Sequence, residues 1–210
     1  MVIAHHLVWT AYGWWLPNDP RGSTSRCIRN DLIAELGELH YGRKRIQPAS
    51  ARIREFYAVA PTFLEFPLKT LSPDDFPVVA RAFAGTVMAN RYTCYACAVM
   101  PDHIHILIRK HKHLAEEMIQ NLQRESHIGL REAGLYDLEH PVWGGPGWKV
   151  FLDHPDDIVR TVRYVEQNPI KIGLPRQHWD FVKPYDGWPL HAGHDPNSPY
   201  ARAFREARKG

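Results

Sequence analysis

The chain has 210 residues, of which 44% are hydrophobic and 23% charged, and 26 Lys+Arg stand against 23 Asp+Glu for a net charge of +3. That length and composition suit one globular domain with a full core and exclude a disordered or low-complexity chain. Mild basicity permits nucleic acid as a partner but does not by itself argue for it.

Three cysteines, Cys27, Cys94 and Cys97, form an odd set with no disulfide framework, which predicts a cytoplasmic setting. Cys94 and Cys97 make a Cys-x-x-Cys, yet an offset of three on a strand sends them to opposite faces, so buried apolar thiols are expected rather than zinc. His5 and His6 interrupt the first apolar run, so no leader peptide is expected. No run reaches the ~20 apolar residues of a membrane span.

Residues 2–12 (VIAHHLVWTAY) read as a first strand, followed by a loop at Pro17, Asn18, Asp19, Pro20, Arg21 and Gly22. From there to about residue 72 no periodicity is sustained, apart from a short helix near Arg29–Leu39 and a basic cluster at Arg43, Lys44 and Arg45. Such a stretch reads as an insertion or functional loop. A helix then opens with Ser72 as cap, Pro73 at its first position, and Asp74 and Asp75 at the positive end of the dipole. Its apolar stripe is Val79, Phe83 and Val87.

The next strand is Thr93–Met100, and the tight turn Pro101-Asp102 predicts an antiparallel hairpin with His103–Ile108. A helix over Leu114–Ala133 follows, with Leu114, Met118 and Leu122 as its core stripe and Gln120, Gln123, Arg124 and His127 on another face. A fourth strand at Lys149–Leu152 comes next, then a helix from Pro155 to near Asn168-Pro169. Strand–helix–strand–strand–helix–strand–helix is an α+β, ferredoxin-like pattern, with an antiparallel βαββαβ sheet and one extra C-terminal helix. The expected organisation is one domain over 1–174, with 17–72 as an insertion or long loop, and a C-terminal extension over 175–210. The last turn of that extension carries Arg202, Arg205, Arg208 and Lys209 against Glu206. It reads equally as a solvated end or a nucleic-acid contact.

Pro101-Asp102-His103-Ile104-His105-Ile106-Leu107-Ile108 carries the first chemical signal. Period-two alternation puts His103 and His105 on one face and sends Ile104 and Ile106 to the core. Two adjacent imidazoles suit a divalent metal, although such a pair can also serve simply to hydrogen-bond across a sheet. Asp102 reads as a turn residue facing away from His103.

The last helix is amphipathic: Ile158, Val159, Val162 and Val165 fall on one side, and Asp157, Thr161, Tyr164 and Asn168 on the other. Tyr164 is therefore off the core stripe. It is either a rim aromatic or a nucleophile toward phosphorus. A phenol with a pKa of about 10 attacks poorly unless a metal polarises the phosphate. A side-chain amide on the same helix would complete the metal's protein ligands, with Asn168 better placed than Gln167. The seven Trp and nine Tyr offer base-stacking surfaces, Trp143 and Trp148 among them, though core packing is the better reading of either one.

VMPDHIHILI, the long polar-faced helix, and Tyr164-Val-Glu-Gln-Asn168-Pro169-Ile-Lys171-Ile-Gly173-Leu together resemble the single-tyrosine transposases of the His-hydrophobic-His endonuclease superfamily. The last element is most similar to the REP-associated branch, and VWTAYGWWLPNDPRG is similar to the opening of some of its members. The resemblance covers residues 1–16 and about 73–174. It implies a ferredoxin-like fold and an enzyme that nicks and joins single-stranded or hairpin DNA through a 5′-phosphotyrosine, with Mg²⁺ or Mn²⁺ as cofactor. By motif position Tyr164 would be the nucleophile, and His103, His105 and Asn168 the metal ligands. Gln123 and Arg124 would contact DNA from the second helix. A homodimer would be compatible but not required. A hairpin-binding protein derived from such an enzyme, without catalysis, is the competing reading. A metal hydrolase of small substrates would need a water-activating carboxylate near the histidines, and the sequence offers no convincing one.

Overall fold

A computed structural model describes residues 2–23, 25–42, 44–136, 139–189 and Glu206. Arg43 and the tail residues Arg202, Arg205, Arg208 and Lys209 lie outside that set. In chain order the elements are β1 (Ala4–Ala11), α1 (Asp31–Ala34), α2 (Ser50–Val59), α3 (Asp75–Asn90), β2 (Cys94–Val99), β3 (His103–Arg109), α4 (Ala115–Glu132), β4 (Trp143–Leu152) and α5 (Pro155–Lys171). A 3₁₀ turn at Ala60–Phe63 follows α2. The four strands pair antiparallel in the order β2-β3-β1-β4. With α3 and α4 as the connecting helices, this is the ferredoxin-like βαββαβ sheet, and α5 is the extra helix bearing Tyr164.

Strand alternation divides the core in two. Leu7 and Trp9 of β1 and Ile104, Ile106 and Ile108 of β3 face α3 and α4, where they meet Val79, Phe83, Val87, Met118 and Leu122. Each such side chain removed from water stabilises the fold by about 2 kcal/mol. The opposite face packs Ala4, Ala96, Ala98, Leu107 and Leu152 against Ile158 and Val165 of α5. α5 rests mainly on β2, at one edge of the sheet, so the β1–β4 half of this face is left open. Cys94 and Cys97 are free, buried thiols as expected, but they do not lie on opposite faces: the irregularity between Cys94 and Ala96 sets both in the α3–α4 core, opposite Ile108 and Ile106.

Several boundaries differ from the sequence reading, each for a local reason. The short helix near 29–39 shrinks to the four residues of α1, capped by Asn30. α2 was not foreseen because it buries none of its residues and so shows no apolar stripe. Ser72 does not cap α3 directly: the helix starts at Asp75, whose carboxylate accepts the Ser72 N–H at 2.7 Å. Leu114 is 66% exposed rather than core, because it precedes α4, where the Glu117 carboxylate accepts its N–H. Val159 likewise sits at the edge of the α5 stripe, 37% exposed.

α5 runs past Pro169 to Lys171. Its stop is Gly173, at φ +79°, where Gly173 N–H donates to Ile170 O and Leu174 N–H to Pro169 O. That pair of bonds is a Schellman ending. β4 starts six residues before the predicted Lys149, through Gly144, Gly145, Pro146 and Gly147, with a register shift opposite Val8 and Thr10. The bulge hides the alternation that would have marked it as strand. The extension after residue 175 packs on the sheet edge: Gln177 bonds both N–H and C=O of Val99, and Lys183 N–H donates to Cys94 O.

Gly147 makes the bulge possible. It sits at φ +75°, and a Cβ there would lie 2.7 Å from Val8 O and 3.1 Å from Trp9 Cβ. Gly147→Ala is expected to destabilise the fold by about 2 kcal/mol or more, from left-handed strain plus a contact with rigid backbone. Urea unfolding of the two proteins checks this, and an unchanged midpoint would contradict the bulge.

Candidate active site

The uncovered half of the sheet is the floor of a cavity of about 1000 Å³. Residues opposite each other in an antiparallel pair share a face, and β1–β3 register sets His105 beside Val8 and His103 beside Thr10. Tyr164 and Asn168 overhang the floor from α5, and Trp148 borders it from β4. The Tyr164 ring lies edge-on to His105 at a centroid distance of 5.4 Å and to His6 at 6.0 Å. Four residues distant in sequence, His103, His105, Tyr164 and Asn168, thus border one cavity.

A chain of hydrogen bonds fixes the imidazoles. His103 Nδ1 lies 2.6 Å from Asp102 Oδ1, His103 Nε2 lies 3.0 Å from His105 Nε2, and His105 Nδ1 lies 2.9 Å from His6 Nε2. A carboxylate only accepts, so His103 carries its proton on Nδ1 and offers the Nε2 lone pair. His105 then donates from Nε2, and His6 donates its Nε2–H to His105 Nδ1. Sequence reasoning missed two members of this chain. Asp102 was expected to face away, but it lies in the bend before β3, where strand alternation does not apply. His6 is brought in by β1–β3 register, which one sequence does not reveal.

Burial depresses the His6 pKa to about 4, and burial with the neighbouring His103, His6 and Lys171 depresses that of His105 well below the ordinary value. Burial raises the Asp102 carboxyl, but the hydrogen bond and charge of His103 outweigh it and hold the group below the usual range. Lys171 Nζ is 5.0 Å from the Tyr164 ring centroid, which puts a cation beside the phenol.

The donor set fits a divalent ion. Two ligands about 2.1 Å from an octahedral metal and at right angles are about 3.0 Å apart, and the two Nε2 atoms stand at that separation. Among the described residues no group of three or more His, Cys, Asp or Glu is placed to hold a metal. Asn168 borders the cavity with its Nδ2 on Tyr164 O at 2.9 Å, which leaves Oδ1 as a donor, whereas Gln167 is exposed and does not border it.

The predicted DNA contacts separate. Gln123 Nε2 donates to Gly145 O at the cavity rim, at 3.2 Å. Arg124 pairs with Glu125 and lines a different groove, between α3 and α4. Trp143 is a packing residue, its indole N–H shared between Gln123 O and Ser126 Oγ, while Trp148 is 40% exposed.

The far wall comes from the 12–72 stretch. Asp19 is fully buried and takes Arg21 through Nε and Nη2 at 3.0 and 2.7 Å, and accepts the Tyr57 hydroxyl at 2.5 Å. Trp15 is held in the left-handed region at φ +52°, a conformation that costs a bulky residue about 1–2 kcal/mol. Its ring is edge-on to His103 at 5.6 Å.

No protein-family model matches the chain. The mouse serine/threonine-protein kinase MRCK beta is 40% identical over 55 residues, which is 26% of this chain and 3% of the kinase. The chain therefore spans a small fraction of that relative's length. Among solved structures, a REP-associated tyrosine transposase bound to a REP hairpin aligns with 82% of this chain and 70% of its own, at 11% identity and a TM-score of 0.44. A Deinococcus radiodurans protein described as a transposase aligns with 80% and 91%, at 11% identity and a TM-score of 0.37. Among the described residues no helix is long and apolar enough to cross a membrane.

The buried histidines make the fold acid-sensitive. Unfolded histidine binds a proton near pH 6.5 but His6 in the fold only near about 4, so the unfolded state takes up more protons in between and stability falls as pH drops. His6→Gln removes that contribution. Metal-free wild type is expected to lose of order 3 kcal/mol more than the variant across this window. Urea titrations from pH 7 to pH 4 measure the difference; parallel curves would refute a neutral, buried His6.

Proposed function

We propose that this chain is a metal-dependent enzyme that nicks and joins single-stranded or hairpin DNA, with Tyr164 as the nucleophile. The observation that carries this reading is the Tyr164 ring, 42% exposed yet 5.4 Å from His105, above two Nε2 atoms separated by 3.0 Å. A rim tyrosine that merely shields the core has no need of that position.

His103, His105 and Asn168 would hold Mg²⁺ or Mn²⁺, which would supply charge stabilisation at the scissile phosphate. Tyr164 Oη attacks phosphorus in line, and the P–O3′ bond breaks. The phenolic proton passes to solvent as the Oη–P bond forms, and the departing 3′-oxygen takes one from solvent, so none is consumed overall. The products are a 5′-phosphotyrosine and a free 3′-hydroxyl. Joining is the reverse, with a 3′-hydroxyl attacking the phosphotyrosine. Bond energy is kept in the ester, so no nucleotide is consumed. Lys171, beside the ring, stabilises negative charge on the phenol and the phosphate.

His6 and Asp102 are positioning residues in this scheme. For His105 to present Nε2 as a lone pair, its proton must sit on Nδ1, and His6 Nε2 is the acceptor 2.9 Å away. The His6 proton then resides on its own Nδ1. No net proton is released. Asp102 holds His103 in the matching tautomer.

Two experiments test the scheme. Wild type mixed with Mn²⁺ and labelled hairpin strands bearing single-stranded flanks is expected to give a covalent adduct on a denaturing gel. Tyr164→Phe should give none, and His105→Ala should lose cleavage while retaining strand binding. An adduct that survives Tyr164→Phe, or none from wild type with any of a panel of hairpins, removes the proposal. Separately, His6→Phe should weaken Mn²⁺ binding, read by paramagnetic resonance without DNA, by about 10- to 100-fold. His6→Gln, whose amide oxygen still accepts, should stay within a few-fold of wild type; equal affinities for all three would remove the positioning role.

A further inference from the structure

The strained tryptophan in the far wall is not used by the scheme above. Of the adjacent pair, Trp14 is accounted for by packing: its indole N–H donates to Lys69 O at 2.7 Å and its ring lies against Tyr57 at 4.7 Å. Trp15 is half-buried, borders the cavity, and adopts a positive φ that its residue type disfavours. Three contacts hold it there. The Trp15 N–H donates to Tyr57 Oη at 2.8 Å, the Arg21 guanidinium covers one ring face at 3.9 Å, and the ring stands perpendicular to that of His103. Tyr57 and Arg21 are themselves tied to fully buried Asp19, and Arg21 Nη2 also donates to Tyr57 at 3.1 Å. A buried ion pair and a helix contact thus clamp one aromatic ring beside His103. Backbone strain kept by such over-determined surroundings marks a functional position.

We infer that Trp15 is a stacking platform for an unpaired nucleobase next to the phosphate that Tyr164 attacks. The inference rests on the DNA reading of the site and assigns one subsite within it. Arg21 occupies one indole face, so a base entering the cavity that Trp15 lines would stack on the other. Stacking ignores base identity, because every base has a π-face, so the subsite demands unpairing rather than sequence. It gives the WWLPNDPRG segment a role: Trp15 is the platform, while Asp19 and Arg21, with Tyr57 from α2, set it.

The test uses metal-free protein, so that cleavage does not enter. Oligodeoxythymidylate strands carry a single 2-aminopurine, or a single abasic unit, at successive positions. One position should show 2-aminopurine quenching on binding to wild type and Trp15→Phe, but not to Trp15→Ala. An abasic unit there should weaken wild-type binding about tenfold and leave Trp15→Ala binding unchanged, since base stacking contributes about that much. The DNA-side substitution needs no protein variant, so a folding defect in Trp15→Ala does not spoil the test. An abasic penalty below twofold at every position, or an equal penalty in Trp15→Ala, overturns the inference. Stacking without a covalent adduct under the Mn²⁺ assay upholds the subsite and removes the catalytic reading; an adduct without an abasic penalty does the reverse. No strand binding at all removes both.

Discussion

The hydrogen bond from His6 Nε2 to His105 Nδ1 joins the fold to its chemistry, because it exists only in one register of β1 against β3. A slip of one residue would turn His6 toward α4 and bring His5 to the cavity instead. The register is secured on both faces of the sheet. Leu7 and Trp9 are locked among α3 and α4, and Ala4 lies against the α5 cluster. The polar chain from Asp102 to His6 therefore inherits its precision from apolar packing it does not touch. Buried imidazoles without partners would be costly, and the chain from Asp102 to His6 gives each of its three rings a partner.

The cavity follows from an asymmetry in how α5 covers the sheet. By leaning on β2, the helix buries Ile158 and Val165 and still overhangs the β1–β4 half with Tyr164 and Asn168. The 12–72 stretch closes that half from the far side. Its anchor, Asp19 with Arg21, is a buried ion pair, which gains little net stability over well-packed apolar residues. Neither that pair nor the strain at Trp15 is explained by stability. Both are explained by the ring they hold at the cavity wall.

Much of this was legible in the sequence, and the failures share a cause. β3 and the pairing of His103 with His105 follow from period-two alternation, and the polar face of α5 follows from helical spacing. Tyr164 and Asn168 are placed by that spacing alone. What escaped depends on register, bulges or caps. His6 enters through strand pairing, and Asp102 through a bend where alternation lapses. The first half of β4 is masked by Gly144, Gly145 and Gly147. Pro169 looked like a helix stop, but its missing N–H costs one bond near a terminus, and Gly173 supplies the ending instead. Trp15 lies in the family-like opening segment, but its place at the cavity wall was not legible, since a positive φ at tryptophan leaves no mark in composition.

The two edges of the sheet differ, and that difference bears on how a nucleic-acid strand would approach. β2 is capped by the chain itself, with Gln177 on both backbone groups of Val99 and Lys183 on Cys94, which shields an otherwise open edge. β4 accepts a side-chain bond from Gln123 Nε2 on Gly145 O. Its glycine bulge lies at the cavity rim, and Trp148 stands 40% exposed beside it. In the proposed reaction the strand would lie over this open half, where Trp148, His105, His103, Tyr164 and Trp15 border one cavity. Donors, nucleophile and aromatic wall meet there because β4, β1 and β3 are neighbours in the sheet and the β1–β3 register fixes which side chains face that side.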